Sequence, residues 1–174
     1  MKIGILRERL PGERRVALVP DAAAKLIAAG HQVVVERGAG SAAGFLDAAY
    51  EKAGVTLVAD IAALAGTAPD LVVKVRKPTV EEVAALPKGC ALIALLTPGA
   101  NDEILPALAD AKITALALEL VPRITRAQSM DVLSSQSGVA GYKAVLIGAA
   151  APSRPPSARA HTRRSPPPSQ RVRR

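Results

Sequence analysis

The 174 residues, 49% of them apolar with a mean hydropathy of +0.22, can bury one core of ordinary size; one Phe, two Tyr and no Trp leave Ala, Leu, Val and Ile to pack it. The net charge of +8 suggests a nucleic-acid or membrane binder only until it is divided: residues 151–174 hold seven Arg and no acid, whereas residues 1–150 balance 16 Lys and Arg against 15 Asp and Glu. A single Cys excludes an internal disulfide, and no apolar run approaches the roughly 18 residues of a membrane span, so a reducing, cytoplasmic setting is expected.

The chain opens on a short strand, Lys2 to Leu6, whose apolar run is too short and too soon interrupted by Arg7, Glu8 and Arg9 to be a signal peptide. Pro20 and Asp21 begin a helix that Gly30 ends. His31 to Glu36 reads as the second strand. Helix and strand then alternate: Phe45 to Ala53 helical, Val55 to Val58 extended, Ile61 to Ala65 helical and Asp70 to Lys74 extended. Val80 to Leu86 and Asp102 to Ala109 are the next helices, each followed by a strand, Ala91 to Leu95 and Ile113 to Leu118. Short continuous apolar strands separated by helices predict an α/β fold, a doubly wound, mostly parallel sheet with helices on both faces. Residues 1–150 form this domain, and the Pro/Arg/Ser-rich stretch 151–174 reads as a disordered basic tail.

Ligands of such sheets sit beyond the carboxyl ends of the strands. The residues there are Arg7, Arg9, Arg14 and Arg15 after the first strand, Lys74, Arg76 and Lys77 after the fourth, and Thr97-Pro-Gly-Ala100 after the fifth. After the sixth comes Val121 to Lys143, in which Arg123, Arg126, Gln128, Ser129, Asp131, Ser134, Ser135 and Gln136 crowd together. These polar residues either cap and solvate a helix start or orient a ligand. Lys74, closing an apolar strand, is the better anion candidate among the cations, with a solvated rim as the alternative. Gly38-Ala-Gly40-Ser-Ala-Ala-Gly44 follows a strand in the manner of a dinucleotide fingerprint. Its third glycine is one residue late and it follows the wrong strand, which leaves a flexible loop as the reading. Asp131 and Glu119 could pair as carboxylates, but their separation is not fixed by sequence. Cys90 lies in an apolar run as a core thiol, and His31 and His161 assemble no metal site or catalytic triad.

Three segments carry a resemblance. Met1-Lys-Ile-Gly-Ile-Leu-Arg-Glu-Arg-Leu10, Glu13-Arg-Arg-Val-Ala-Leu-Val-Pro20 and Val33-Val-Val-Glu-Arg-Gly-Ala-Gly40 are similar to the N-terminus of the alanine dehydrogenase and pyridine nucleotide transhydrogenase family. Val121-Pro-Arg-Ile-Thr-Arg-Ala-Gln-Ser-Met-Asp131, with Leu133-Ser-Ser-Gln136 and Ala140-Gly-Tyr142, resembles the alpha-subunit branch of its proton-translocating NAD(P) transhydrogenases. The resemblance implies that Arg123, Gln128, Asp131 and Ser134 contact the NAD(H) nicotinamide, with Gln128 reaching toward that of NADP(H). Arg15 and Lys74 match positions that hold pyruvate in alanine dehydrogenases. That branch places a His after the fifth strand as proton donor, where this sequence has Thr97-Pro98-Gly99.

The resemblance further implies hydride transfer between NADH and NADP coupled to proton translocation, a beta subunit and membrane domains as partners, a paired alpha subunit and a place at the inner membrane's cytoplasmic side. In the family a dinucleotide-binding domain follows the Ala-Gly-Tyr helix before the chain returns to complete the first domain. Here the tail follows, so residues 1–150 are expected to be an incomplete domain, poorly soluble, inactive alone and unable to bind NAD tightly. A shifted reading frame is the expected source of the tail. Two alternatives stay open: an alanine dehydrogenase-like domain, and a non-catalytic association module whose tail attracts polyanions.

Overall fold

The structure, a computed structural model, describes residues 1–99 and 103–150. It divides the chain into two units, Met1–Leu133 and Ser134–Arg174. The basic tail and Asp102 lie outside the described residues.

In the first unit six strands form one parallel sheet: β1 (Lys2–Ile5), β2 (Gln32–Glu36), β3 (Thr56–Val58), β4 (Leu71–Arg76), β5 (Ala91–Leu95) and β6 (Thr114–Ala117). Their order is β3-β2-β1-β4-β5-β6, which places the reversal of direction between β1 and β4. Ile5 pairs with Val35 on one side and Val73 on the other, and Val73 leads on through Ile93 to Leu116. The helices that join the strands are α1 (Pro20–Ala28), α2 (Asp47–Lys52), α3 (Ile61–Gly66), α4 (Val80–Ala85) and α5 (Ile104–Asp110). The alternation read from the sequence is therefore the observed one, with ends shifted by a residue or two.

Each connection has a local chemical cause. Pro20 presets the backbone at the start of α1, and Asp60 and Thr79 accept N–H groups at the starts of α3 and α4. After α1 the chain turns through Gly30 at φ +85°, with Gly30 N–H bonded to Ile27 and His31 N–H to Leu26, the paired closure that a left-handed residue permits. After α5 the same two bonds form around Lys112 at φ +56°, a conformation lysine adopts only at a cost.

Two apolar layers follow. Helices α3, α4 and α5 cover one face, where Leu64, Val83, Ile104 and Leu108 meet Leu6, Val34, Val72, Leu92 and Ala94. Cys90 belongs to this layer, and burial pushes its thiol pKa up, as befits an inert core residue. On the other face α1 and α2 bring Ala23 and Tyr50 against Ile3, Ile5, Val33 and Val35. Leu71 and Val73 are only half-buried there, and Leu116 is 52% exposed, so this face is well covered under β1 to β3 and thinly under β4 to β6.

The second unit begins within α6 (Val132–Ala150), whose first turns carry Ser134, Ser135, Gln136 and Ser137 and whose later turns are mostly apolar. Val139, Tyr142, Val145 and Ile147 are exposed along it, a surface that an isolated water-soluble helix does not usually carry.

The segment Gly38 to Gly44 departs from the flexible loop expected. Ser41–Ala43 forms a 3-10 turn, Gly38 N–H donates to Asp47, and Gly40 lies under the Tyr50 ring. The Tyr50 hydroxyl donates to the Leu18 carbonyl at 2.8 Å, and burial with the nearby Asp47 pushes its pKa up to about 12. A Cβ on Gly40 would stand 2.7 Å from Tyr50 and 2.8 Å from the Phe45 carbonyl, the latter backbone that cannot swing away. Gly40→Ala is expected to destabilise the fold by about 1–3 kcal/mol, measured as a lower denaturant midpoint at unchanged slope.

Candidate functional site

The carboxyl ends of β1 and β4 lie side by side, and the loop after β1 passes between two cavities. One, of about 640 Å³, is lined by Glu8, Arg9, Lys74, Arg76, Thr79 and Glu82 together with Leu95 and Thr97 from the end of β5. The other, of about 440 Å³, lies toward β2 and is lined by Arg7, Glu8, Arg9, Glu13 and Arg15 with Gly38 to Ala42. The cationic loops after β1 and β4 and the loop after β5 therefore do converge, as their places in the sheet predict. Among the residues lining these cavities, none comes from 121–131.

Buried charges govern the larger cavity. Lys74 is 2% exposed, and its ammonium donates to both Glu82 oxygens at 2.8 and 2.7 Å. Glu82 is itself buried, accepts from Arg9 at 2.7 Å, and closes a capping box with Thr79 at the start of α4. Arg9 reaches across to Glu36, at the end of β2, also at 2.7 Å. Each buried carboxylate thus has a cation and further donors, the condition under which charge is tolerated away from water. The Lys74 charge expected to meet an anion is already met from within the chain.

The smaller cavity repeats the pattern. Glu13 receives Arg15 Nε at 2.8 Å and Arg15 Nη2 at 2.7 Å, and Arg76 Nε at 2.8 Å. The Arg15 hydrogen bond foremost, against some desolvation, and then Arg76 hold the Glu13 carboxyl at a pKa of about 2. Glu8 behaves oppositely. Burial raises its pKa, although its oxygens accept the backbone N–H groups of Val75 at 2.7 Å and Arg76 at 3.2 Å.

At the end of β5, Thr97 adopts φ +52° and donates its N–H to Glu119, which follows β6. The second Glu119 oxygen is buried with no hydrogen-bond partner among the described residues. Thr97, Pro98 and Gly99 bring no proton-donating side chain suited to neutral pH to this position.

The nicotinamide candidates lie elsewhere. Arg123 follows a 3-10 turn at Leu118–Leu120, and Gln128 sits within a second, Thr125–Met130; both are exposed. Asp131, half-buried, ends that turn, while Ser134 belongs to the second unit as the third residue of α6. The structure therefore separates the two groups predicted from sequence: Lys74 and Arg15 line cavities at the β1 and β4 ends, and Arg123, Gln128 and Asp131 occupy the surface stretch after β6. Sequence reasoning misses Glu82 and Glu13 as partners of these cations. The Thr79-x-x-Glu82 capping pattern is a signal for the first; nothing local signals that Glu13 meets Arg76.

Residues 4–140 match the model of the family described as Alanine dehydrogenase/PNT, N-terminal domain. The chain is 48% identical over 146 residues to NAD(P) transhydrogenase subunit alpha of Cereibacter sphaeroides, an alignment covering 84% of this chain and 28% of that protein. It is 39% identical over 149 residues to alanine dehydrogenase of Bacillus subtilis, covering 86% of this chain and 38% of that one. Among solved structures, the transhydrogenase from Sinorhizobium meliloti superposes with a TM-score of 0.79 at 44% identity, covering 84% of this chain and 43% of that chain. The chain thus spans less than half the length of each of these relatives.

Two outcomes test the charge assignments. Lys74→Met leaves Glu82 with Arg9 alone and is expected to lower stability by on the order of 3 kcal/mol, whereas Lys74→Met with Glu82→Leu recovers part of the loss; urea unfolding of both variants checks this. For Glu13, whose folded pKa lies below its unfolded value near 4.5, the stabilisation is complete above about pH 4.5 and is lost as pH falls toward 2. The stability gap between wild type and Glu13→Gln should close over that window. Glu8, with its folded pKa raised, acts in the opposite sense and loses stability as pH rises through its titration.

Proposed function

We propose, for a chain that belongs to the alanine dehydrogenase/PNT N-terminal domain family, that it is the N-terminal portion of an NAD(P) transhydrogenase alpha subunit. Its role there is to orient a nicotinamide ring for hydride transfer between NADH and NADP. The observation that carries this reading is the end of β5. Reduction of an imine needs a proton donor beside the reacting carbon, and Thr97-Pro98-Gly99 offers none, its backbone being engaged instead by Glu119. Hydride transfer between two nicotinamides moves no proton, so it asks the protein only for proximity, orientation and exclusion of water.

The residues after β6 suit that demand. Arg123 and Gln128 are exposed and carry donors, and Gln128 also an acceptor, matching the amide and carbonyl of a carboxamide. Asp131 and Ser134 are the remaining residues proposed to hold that group. The bound dinucleotides supply the hydride chemistry itself. The greater identity to the transhydrogenase relative than to the alanine dehydrogenase supports the same branch. Coupling to proton movement, a beta subunit with membrane domains, pairing of alpha subunits and a position at the inner membrane belong to this proposal. Among the described residues no helix is long and apolar enough to cross a membrane. Arg15 and Lys74 are proposed to remain from the substrate-side scaffold of the other branch, their charges answered internally.

A chimera tests the reading. Placing residues 4–140 of this chain into the Cereibacter sphaeroides subunit should preserve NADH-to-NADP hydride transfer, and Gln128→Ala in that chimera should slow turnover by on the order of 100-fold. Reductive amination of pyruvate by the chimera, with no transhydrogenation, would overturn it. The 174 residues alone should show no saturable micromolar NADH binding by calorimetry.

A further inference from the structure

The stretch that carries Arg123 and Gln128 has little apolar anchorage of its own. Leu120, Ile124 and Met130 are exposed, and the buried side chain in its two 3-10 turns is Ala127, a small one. The backbone bonds that close those turns run within the stretch, Val121 N–H to the Leu118 carbonyl at 3.3 Å and Ala127 N–H to that of Ile124 at 2.9 Å. Such bonds set the local shape of a segment but not its place on the sheet, and few buried contacts mean low local stability.

Glu119 ties the start of this stretch to the sheet. It stands in the first 3-10 turn, directly after β6, and one of its oxygens accepts the N–H of Thr97 at the end of neighbouring β5. The bond is bought with two local costs. Thr97 holds φ +52°, a left-handed conformation that a β-branched residue adopts only under strain. The other Glu119 oxygen is buried with no partner among the described residues, a desolvation cost that brings no stability in return. Costs of both kinds gather where position matters more than stability. The link onward is also stiff. Between Glu119 and Arg123 lie Leu120, Val121 and Pro122; the proline ring fixes its own φ, and Val121 before it is extended at ψ +123°. Where Glu119 is held, Arg123 is held.

We infer that Glu119 is a positioning residue for hydride transfer, which latches the stretch after β6 to the end of β5 and so sets where Arg123 and Gln128 present their donors. It touches neither dinucleotide. Its effect on turnover rests on the nicotinamide reading, whereas its hold on the segment rests on the Thr97 bond alone. The end of β5 then contributes a backbone N–H to the site, in place of a side chain.

Two measurements test it. In the 174-residue chain, Glu119→Ala should speed tryptic cleavage after Arg123 and Arg126 by about 10-fold. Its melting temperature should stay within about 4 °C of wild type, because the lost bond is offset by removal of the unmet oxygen. Glu119→Gln keeps an acceptor for Thr97 and should be cleaved at nearly the wild-type rate. In the chimera with the Cereibacter sphaeroides subunit, Glu119→Ala should lower kcat by about 10-fold with the KM for NADH within about twofold of the parent, and Glu119→Gln should restore most of the turnover. Equal cleavage of wild type and Glu119→Ala, a loss of kcat that Glu119→Gln does not restore, or a larger fall in melting temperature would each overturn the inference. A parent chimera without transhydrogenation would overturn the nicotinamide reading and this inference with it; an active parent indifferent to Glu119→Ala would overturn this inference alone.

Discussion

Burying charge is costly unless every buried ion is met, and the crevice end of this sheet is arranged around that constraint. Lys74 can end an apolar strand inside the protein because Glu82 meets it from the first turn of α4. Glu82 can be buried because Arg9 and the capping threonine share its oxygens with Lys74. Arg9, in turn, is held by Glu36 at the end of β2. One continuous chain of ion pairs thus spans β2, the β1 loop, β4 and α4. Glu8 and Glu13 fasten the same loop to β4 a second time. The position of the loop after β1, and with it the division of the crevice into two cavities, follows from these pairings.

The same constraint bears on activity. A crevice whose cations were open would invite an acidic substrate, and the sequence alone suggests as much for Lys74. In the structure the Lys74 charge is instead satisfied internally by Glu82, and Thr97 stands at the end of β5 where a proton donor would favour the imine-reducing alternative. The polar residues after β6 bring exposed amide and guanidinium groups in a separate place, suited to orientation rather than proton transfer.

The strands and helices are legible in the sequence because periodicity and caps are local: the apolar run at Val33 to Val35, Pro20 before α1 and the Thr79 to Glu82 spacing each act within a few positions. Convergence of the loops after β1, β4 and β5 follows once the strands are read as parallel, since parallel strands bring all their carboxyl ends to one edge of the sheet. The contents of the crevice are not legible in that way. Glu13 and Arg76 are 63 residues apart, and no local pattern records that one will neutralise the other. Sequence proximity offers Glu119 as a partner for Asp131, yet it bonds the Thr97 backbone, a pairing set by the ends of adjacent strands. Gly40 looks like slack in the sequence because its packing partner, Tyr50, belongs to the following helix.

Arg9 answers to two buried acids at once, one on either side of the sheet's reversal. Losing Arg9 leaves Glu36 without its cation and Glu82 with Lys74 alone, while losing either acid leaves Arg9 attached to the other. Replacing Arg9 together with an acid it meets therefore costs less than replacing Arg9 alone. A change of charge in the β1 loop therefore bears on both acids at once, and through them on the shape of the crevice.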